Sequence, residues 1–151
     1  MLVRTEGYFR EKMEANASRL IERGVKRMTK LQKLPETELL VMQIIWKNGK
    51  SANSDIIVGE FNKQKSWERS AVLTLLKRLE GKDFVTSGKE GKRNVYTPAV
   101  SEKEYLEFES KSFLEKVCGN SVKKLIASLY QGNNLSKEDL EELKQFIEEA
   151  E

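Results

Sequence analysis

The 151-residue sequence contains no histidine, one cysteine and two prolines. Histidine is the commonest general base and metal ligand, so its absence disfavours a conventional hydrolase and a histidine metal site. The single cysteine, Cys118, cannot form a disulfide within the chain, and we expect it to be a small apolar residue. No apolar run approaches the roughly 20 residues that cross a bilayer, and the N-terminus lacks a signal peptide's apolar stretch. These absences predict a reduced cytoplasmic protein without membrane insertion, catalytic site, cofactor or metal.

Charge is distributed unevenly along the chain, although the net charge is only +3. Residues 1–33 contain nine Lys or Arg and four Asp or Glu, and residues 34–100 contain 11 and eight. Residues 101–151 contain seven and 12, which gives this last third a net charge of −5. The first two-thirds would attract a polyanion and the last third would repel one. The pattern indicates that the basic first two-thirds face nucleic acid. The alternative is that the basic and the acidic parts are both ordinarily solvated surfaces.

Three helices are predicted between residues 35 and 81. The first runs from Pro35 to Lys47, and the second follows a cap at Ser51 or Asn53 and carries Ile56, Ile57 and Phe61 on one side. The third begins near Ser66 and is closed by Gly81. Its apolar residues recur at i, i+3, i+4 and i+7, the spacing of one buried helical face. They are Val72, Leu75, Leu76 and Leu79.

A β-hairpin is predicted directly after the third helix. Residues 84–86 and 94–97 are β-prone runs, and residues 88–93 between them form a polar, basic loop with two glycines. Pro98 marks the end of the second strand. Three helices followed by a hairpin is the order of a winged helix-turn-helix, whose third helix enters the major groove. The predicted fold is therefore mainly α, with this domain at residues 34–100.

A DNA-contacting surface is predicted on the third helix and the hairpin, which would be the wing. The helix presents hydroxyl, apolar and cationic side chains opposite its buried stripe, and the wing tip carries three cations. The alternative is that these charged side chains simply solvate an exposed helix and a hairpin tip. The candidate residues are Arg69, Ser70, Leu73, Thr74, Lys77 and Arg78 on the helix, and Lys89, Lys92 and Arg93 in the wing.

Two tryptophans could stack on unpaired bases, because aromatic side chains interleaved with cations do so. Trp46 lies on the apolar side of the first helix and is predicted to be part of the core. For Trp67, packing at the start of the third helix and contact with the sugar-phosphate backbone both remain open.

Residues 101–151 are predicted to form three helices, which are too few to bury much apolar surface alone. The first spans residues 101–117, a break follows at Gly119 and Asn120, and Ser136 and Asp139 have the spacing of a capping box. The apolar side chains of these helices therefore need a partner surface, and a second copy of the same chain is the simplest one. We predict a helical dimerisation region. Its candidate pairing residues are Val122, Leu125, Ile126, Leu129, Leu140, Leu143 and Ile147.

The order of four motifs resembles the penicillinase-repressor family, which includes β-lactamase, methicillin-resistance and copper-homeostasis repressors. The motifs, within residues 34–151, are E-L-x-V-M-x-x-I-W, T-x-L-x-R-L, V-Y-T-P and S-F-L-x-K-V. The resemblance implies a homodimeric winged-helix repressor that binds a palindromic double-stranded operator and blocks transcription. It also implies groove-facing positions at Ser70, Ala71, Leu73 and Thr74, although the family's usual Pro-Lys-Thr at the helix start is Arg69-Ser70-Ala71 here. Copper sensing is disfavoured, because no cysteine follows Cys118.

In the β-lactamase-linked members of this family, a membrane sensor that detects β-lactams controls proteolysis of the repressor. The resemblance places the cleaved bond between Ser112 and Phe113 and implies a membrane sensor or an associated protease as a partner. It also implies control of β-lactam-resistance genes. A competing interpretation is an adaptor that uses the winged helix to dock proteins and has no sequence-specific DNA binding.

Residues 1–33 lie outside the resemblance and are predicted to be an N-terminal extension. Met13, Ala17, Leu20 and Ile21 give it a thin apolar stripe, so a basic helix that serves as a DNA-binding arm is one interpretation. The other is that translation starts at Met28, which stands six residues before Leu34, and that residues 1–27 are not native and pack weakly.

Overall fold

The computed structural model describes residues 31–150, and the interpretations of residues 1–30, including a start at Met28, lie outside that range. The described part contains six helices and three strands and divides into two compact units between Phe108 and Glu109. The elements are α1 (Glu36–Lys47), β1 (Ala52–Asn53), α2 (Ser54–Asn62), α3 (Arg69–Gly81), β2 (Val85–Glu90), β3 (Arg93–Pro98), α4 (Glu102–Lys116), α5 (Val122–Gln131) and α6 (Lys137–Ala150).

The first two helices confirm the predicted capping signals. Helix α1 follows Pro35 and ends at Lys47. Asn48 caps its C-terminus, and the next residue, Gly49, takes a φ of 90°. Asn53 caps α2, because its side-chain oxygen accepts a hydrogen bond of 2.9 Å from the backbone N–H of Ile56. Ile56 itself is 41% exposed, so its expected place beside Phe61 on the apolar side was wrong. Residues five apart do not share a helical face.

Helix α3 has the predicted buried stripe but begins at Arg69 rather than at Ser66. The side-chain oxygen of Asn62 accepts a hydrogen bond of 3.0 Å from the Trp67 backbone N–H, which holds the preceding turn outside the helix. At the other end, Asp83 and not Gly81 takes the left-handed conformation, with a φ of 62°. The four apolar residues of the stripe are at most 3% exposed. Burial of this stripe fixes which face of α3 meets solvent.

The sheet is antiparallel with the strand order β1-β3-β2. The turn of the hairpin contains only Gly91 and Lys92, since Glu90 already pairs with Arg93, so the predicted six-residue loop was too long. Gly91 has a φ of 67°, as a two-residue hairpin turn requires. Strand β1 pairs with β3 through Ala52 and Asn53 and thereby attaches the hairpin to the start of α2.

The core of the first unit extends into the beginning of α4. Val100 and Tyr105 are buried, and Phe108 packs against them at the edge of the cluster. The hydroxyl of Tyr105 accepts a hydrogen bond of 2.9 Å from the Leu34 backbone N–H, and the Trp46 indole donates one of 2.9 Å to the Val100 carbonyl. The prediction that Trp46 belongs to the core is confirmed. A boundary after residue 100 stays a prediction, and a fragment that keeps this core must reach Phe108.

A buried ion pair joins α1 to the residue that follows α3. The Glu38 side chain is 2% exposed, and its two carboxylate oxygens lie 2.8 and 3.0 Å from the ammonium of Lys82. Lys82 keeps 26% of its side chain exposed. The pair fixes the end of α3 against the first turn of α1.

The helices of the second unit have well-formed ends and little buried surface. The capping box predicted at Ser136 and Asp139 is confirmed: each backbone N–H donates to the other's side chain, at 2.8 and 3.0 Å. These two bonds hold the pKa of Asp139 below its ordinary value. Cys118 is buried as expected. No residue of α5 or α6 is buried, and Val122 and Ile147 are 55% and 51% exposed.

Candidate nucleic-acid interface

The solvent-facing side of α3 carries the residues predicted to contact DNA. Ser70, Thr74, Lys77 and Arg78 are exposed, whereas Leu73 is half-buried and packs against the core. The face combines one hydroxyl per turn with cations at its C-terminal end. Such a face can approach base edges with its hydroxyls and phosphates with its cations.

The hydroxyl of Thr74 is already used as a donor. Its Oγ1 donates a hydrogen bond of 2.9 Å to the backbone carbonyl of Ser70, one turn earlier. A hydroxyl has one proton and two lone pairs, so the outward chemistry of Thr74 is an acceptor and a methyl group. These suit an amino group of adenine or cytosine, or the methyl group of thymine.

The wing lies beside α3 and presents Lys89, Lys92 and Arg93, all exposed. A hydrogen bond of 2.6 Å from the Ser87 hydroxyl to the Glu80 carboxylate connects the wing to α3. Burial, with the nearby Glu80 charge as a smaller cause, raises the pKa of Tyr96 in β3 above its ordinary value. The Tyr96 side chain in this strand of the wing is therefore neutral at physiological pH.

Sequence reasoning missed Asp55, which connects the two parts of this surface. Its carboxylate oxygens lie 2.8 Å from Arg69 Nη1 and 3.2 Å from Arg93 Nε. The acid stands in the first turn of α2, while its partners belong to α3 and the wing. No local pattern signals such a contact, because the partners are 14 and 38 positions away in the chain. Only the weak signal of an acid at a helix start was available.

Trp67 packs at the beginning of α3. Its ring centroid lies 5.3 Å from that of Phe61 in a tilted arrangement, and 38% of the residue is exposed. Packing, the first of the two alternatives, is therefore present. Contact of the exposed edge with a sugar-phosphate backbone stays a prediction.

Neither a metal-binding group nor a membrane span occurs in the part of the chain that the structure describes. Residues 31–150 hold no cluster of three His, Cys, Asp or Glu side chains that could bind a metal ion. No helix among them is long and apolar enough to cross a bilayer.

Comparison with known proteins gives matches to one set of repressors. The family model for the penicillinase repressor matches residues 34–149. A penicillinase repressor of Bacillus licheniformis is 34% identical over 122 residues, which cover 81% of this chain and 94% of that protein. The methicillin resistance regulatory protein MecI of Staphylococcus aureus (strain N315) is 30% identical over 118 residues, covering 78% and 95%.

Solved structures of related proteins match about half of the chain. The DNA-binding domain of the repressor BlaI is 36% identical with a TM-score of 0.44, and the match covers 48% of this chain and 88% of that one. The Bacillus licheniformis BlaI monomer in complex with the blaP half-operator is 34% identical with a TM-score of 0.43, covering 49% and 89%.

Proposed function

Since the chain belongs to the penicillinase repressor family, a family of DNA-binding transcriptional repressors, we propose that it acts as a homodimer on a palindromic operator. Helix α3 contacts base edges, the wing contacts phosphates and the helices after Phe108 pair two copies. The observation that carries the proposal is the exposed face of α3, which the buried stripe orients beside a basic wing. The protein then works in the cytoplasm as a repressor and not as an enzyme.

Pairing through the second unit is supported by its exposed apolar side chains. Val122, Leu129 and Ile147 are 37–55% exposed, whereas Leu125, Ile126, Leu140 and Leu143 are half-buried. Large apolar side chains left exposed on helices are typical of an interface. In a symmetric dimer the same stripe meets its own copy, and the two α3 helices face the same side of the duplex.

Control of β-lactam-resistance genes and release by proteolysis are proposed on the family relationship. The Ser112–Phe113 bond lies in α4, with Phe113 48% exposed and Ser112 half-buried. Cleavage there would separate the winged-helix unit from most of the pairing helices. A membrane sensor or a protease under its control is the partner that this step requires.

Selection from a random DNA library tests the proposal. We expect the full chain to enrich a duplex with two half-sites related by a dyad, spaced by about one helical turn or a multiple of it. This enriched sequence is called the selected duplex below. Its affinity should fall steeply with salt, because phosphate contacts release counterions. If no sequence is enriched and the affinity for DNA does not change with salt concentration, the result would instead support a protein-docking adaptor.

Two substitutions should separate base contacts from phosphate contacts. Thr74→Ala is expected to lower the preference for the selected duplex over a scrambled one by about 1–3 kcal/mol, because it removes the acceptor and the methyl group. Arg78→Ala should weaken both duplexes alike and reduce the salt slope by about 1. Affinities measured by fluorescence anisotropy over a range of salt check both expectations.

Lys144→Ala, which removes one exposed cation from α6, is the matched control for Arg78→Ala. It should leave the salt slope unchanged. The proposed α3 face would be wrong if Thr74→Ala and Arg78→Ala both bound like the unaltered protein.

A further inference from the structure

We propose that Asp55 is a positioning residue that sets the specificity of DNA binding by holding Arg69 and Arg93 as a fixed pair. The inference rests on the proposed function, since it assigns a role to an acid within the DNA-binding surface. It concerns a side chain that contacts no DNA itself in this proposal and acts through its two cationic neighbours.

The geometry lets one carboxylate hold both guanidinium groups at once. Arg69 is held by Oδ1 at 2.8 Å, while Arg93 is held by the other oxygen, Oδ2, at 3.2 Å. Arg69 also donates from Nη2 to the hydroxyl of Ser54 at 3.1 Å, and Ser54 is only 3% exposed. The buried hydroxyl fixes the direction from which Arg69 approaches. The start of α3, the first turn of α2 and the wing therefore meet at Asp55.

Stability does not account for this acid. The side chains of Asp55, Arg69 and Arg93 are 46%, 52% and 64% exposed. Exposed ion pairs contribute little to folding, because water and salt screen them.

On a surface that binds a polyanion, a carboxylate carries a cost for affinity. It repels phosphates of every DNA sequence and lowers the charge available for non-specific binding. In exchange, it restricts where the two guanidinium groups can lie. Only a duplex whose phosphates or base edges fit that spacing gains from both cations. Asp55 therefore weakens binding to all DNA and favours the DNA that fits.

The experiment compares the full chain with its Asp55→Asn variant on the selected duplex and on a scrambled duplex of equal length and composition. We expect Asp55→Asn to bind the scrambled duplex about three- to tenfold more tightly, with a salt slope steeper by about 1 per protomer. The ratio of the two affinities should fall about tenfold, as when one recognised position is lost. The thermal unfolding midpoint should not change, since the pairs are exposed.

Glu60→Gln is the matched control. Glu60 also lies on α2, and its carboxylate pairs at 2.9 Å with Lys63, the residue that follows this helix, and not with either arginine. The Glu60→Gln substitution removes the same charge as Asp55→Asn without freeing Arg69 or Arg93. The ratio of the affinities for the selected and the scrambled duplex should therefore stay within about twofold of that of the unaltered protein. Asp55→Glu, which keeps the charge and the ability to pair, should retain most of the ratio and serves as the second variant.

Three results would overturn the inference. The first is an unchanged affinity ratio in Asp55→Asn, and the second is an equal fall in Glu60→Gln, which would make total charge the cause. The third is a parallel loss of affinity for both duplexes with a lower unfolding midpoint, which would assign Asp55 a structural role. If the unaltered chain enriches no sequence, the proposed function fails as well. Enrichment with an unchanged ratio in Asp55→Asn removes this inference alone.

Discussion

A chain that ends at Ser112 is expected to bind the selected duplex about 10²- to 10⁴-fold more weakly than the intact chain. In the proposed dimer, the second half-site contact would be an intramolecular event. The shortened chain loses α5, α6 and the exposed Phe113. It keeps Val100, Tyr105 and Phe108, so the core of the winged-helix unit is complete. The loss should therefore come from pairing and not from unfolding.

Sedimentation and binding to a single half-site test this explanation. The shortened chain should sediment as a monomer and bind one isolated half-site as tightly as the intact chain does. A shortened chain that remains dimeric and binds the full selected duplex within about threefold of the intact chain would place the pairing surface elsewhere. Mass spectrometry of the protein from β-lactam-treated cells tests whether the Ser112–Phe113 bond is the one cut. An intact chain under full induction would point to release without proteolysis.

Lys82→Met should lower the free energy of unfolding by about 3 kcal/mol, because it leaves the Glu38 carboxylate buried without its partner. Glu38 is 2% exposed and cannot turn to water without opening the contact between α1 and the end of α3. Urea unfolding followed by circular dichroism gives the free energy and, through an unchanged m-value, shows that the folded state is otherwise the same.

The opposite single substitution is the control. Glu38→Gln removes the buried charge, and the Lys82 ammonium, whose side chain is already 26% exposed, can turn to solvent. It should cost about 1 kcal/mol, the size of a lost hydrogen bond. The double variant should be more stable than Lys82→Met alone. If Lys82→Met costs no more than Glu38→Gln, the carboxylate is better solvated than its burial indicates.

Local sequence patterns predicted the helices and strands of the fold. They did not predict the contacts between segments that are far apart in the sequence. The stripe from Val72 to Leu79 predicted both the third helix and its buried face, because a helical period is a property of a few consecutive residues. The pairing of Ala52 with Tyr96 was not predictable, since a two-residue strand has no period of its own. The place of Tyr105 in the first core depends on its contact with Leu34, 71 positions away.

The candidate site shows the same division. The cations and hydroxyls of α3 were identified because helical geometry places them opposite the buried stripe. Asp55 was missed, since its importance lies in two partners that only the folded chain brings near. The start of α3 was placed about three residues early. The hydrogen bond from the Trp67 backbone N–H to the Asn62 side chain keeps the residues before Arg69 outside the helix, and no local pattern signals that bond.

The proposed pairing through α5 and α6 would make repression sensitive to gene dosage. If they are covered only when two copies meet, the amount of dimer follows the square of the monomer concentration wherever monomer predominates. Halving the cellular amount of the protein would then lower the dimer about fourfold by mass action. Removal of part of the protein would thus lower the dimer more than proportionally, without any change in the affinity of the remaining dimers.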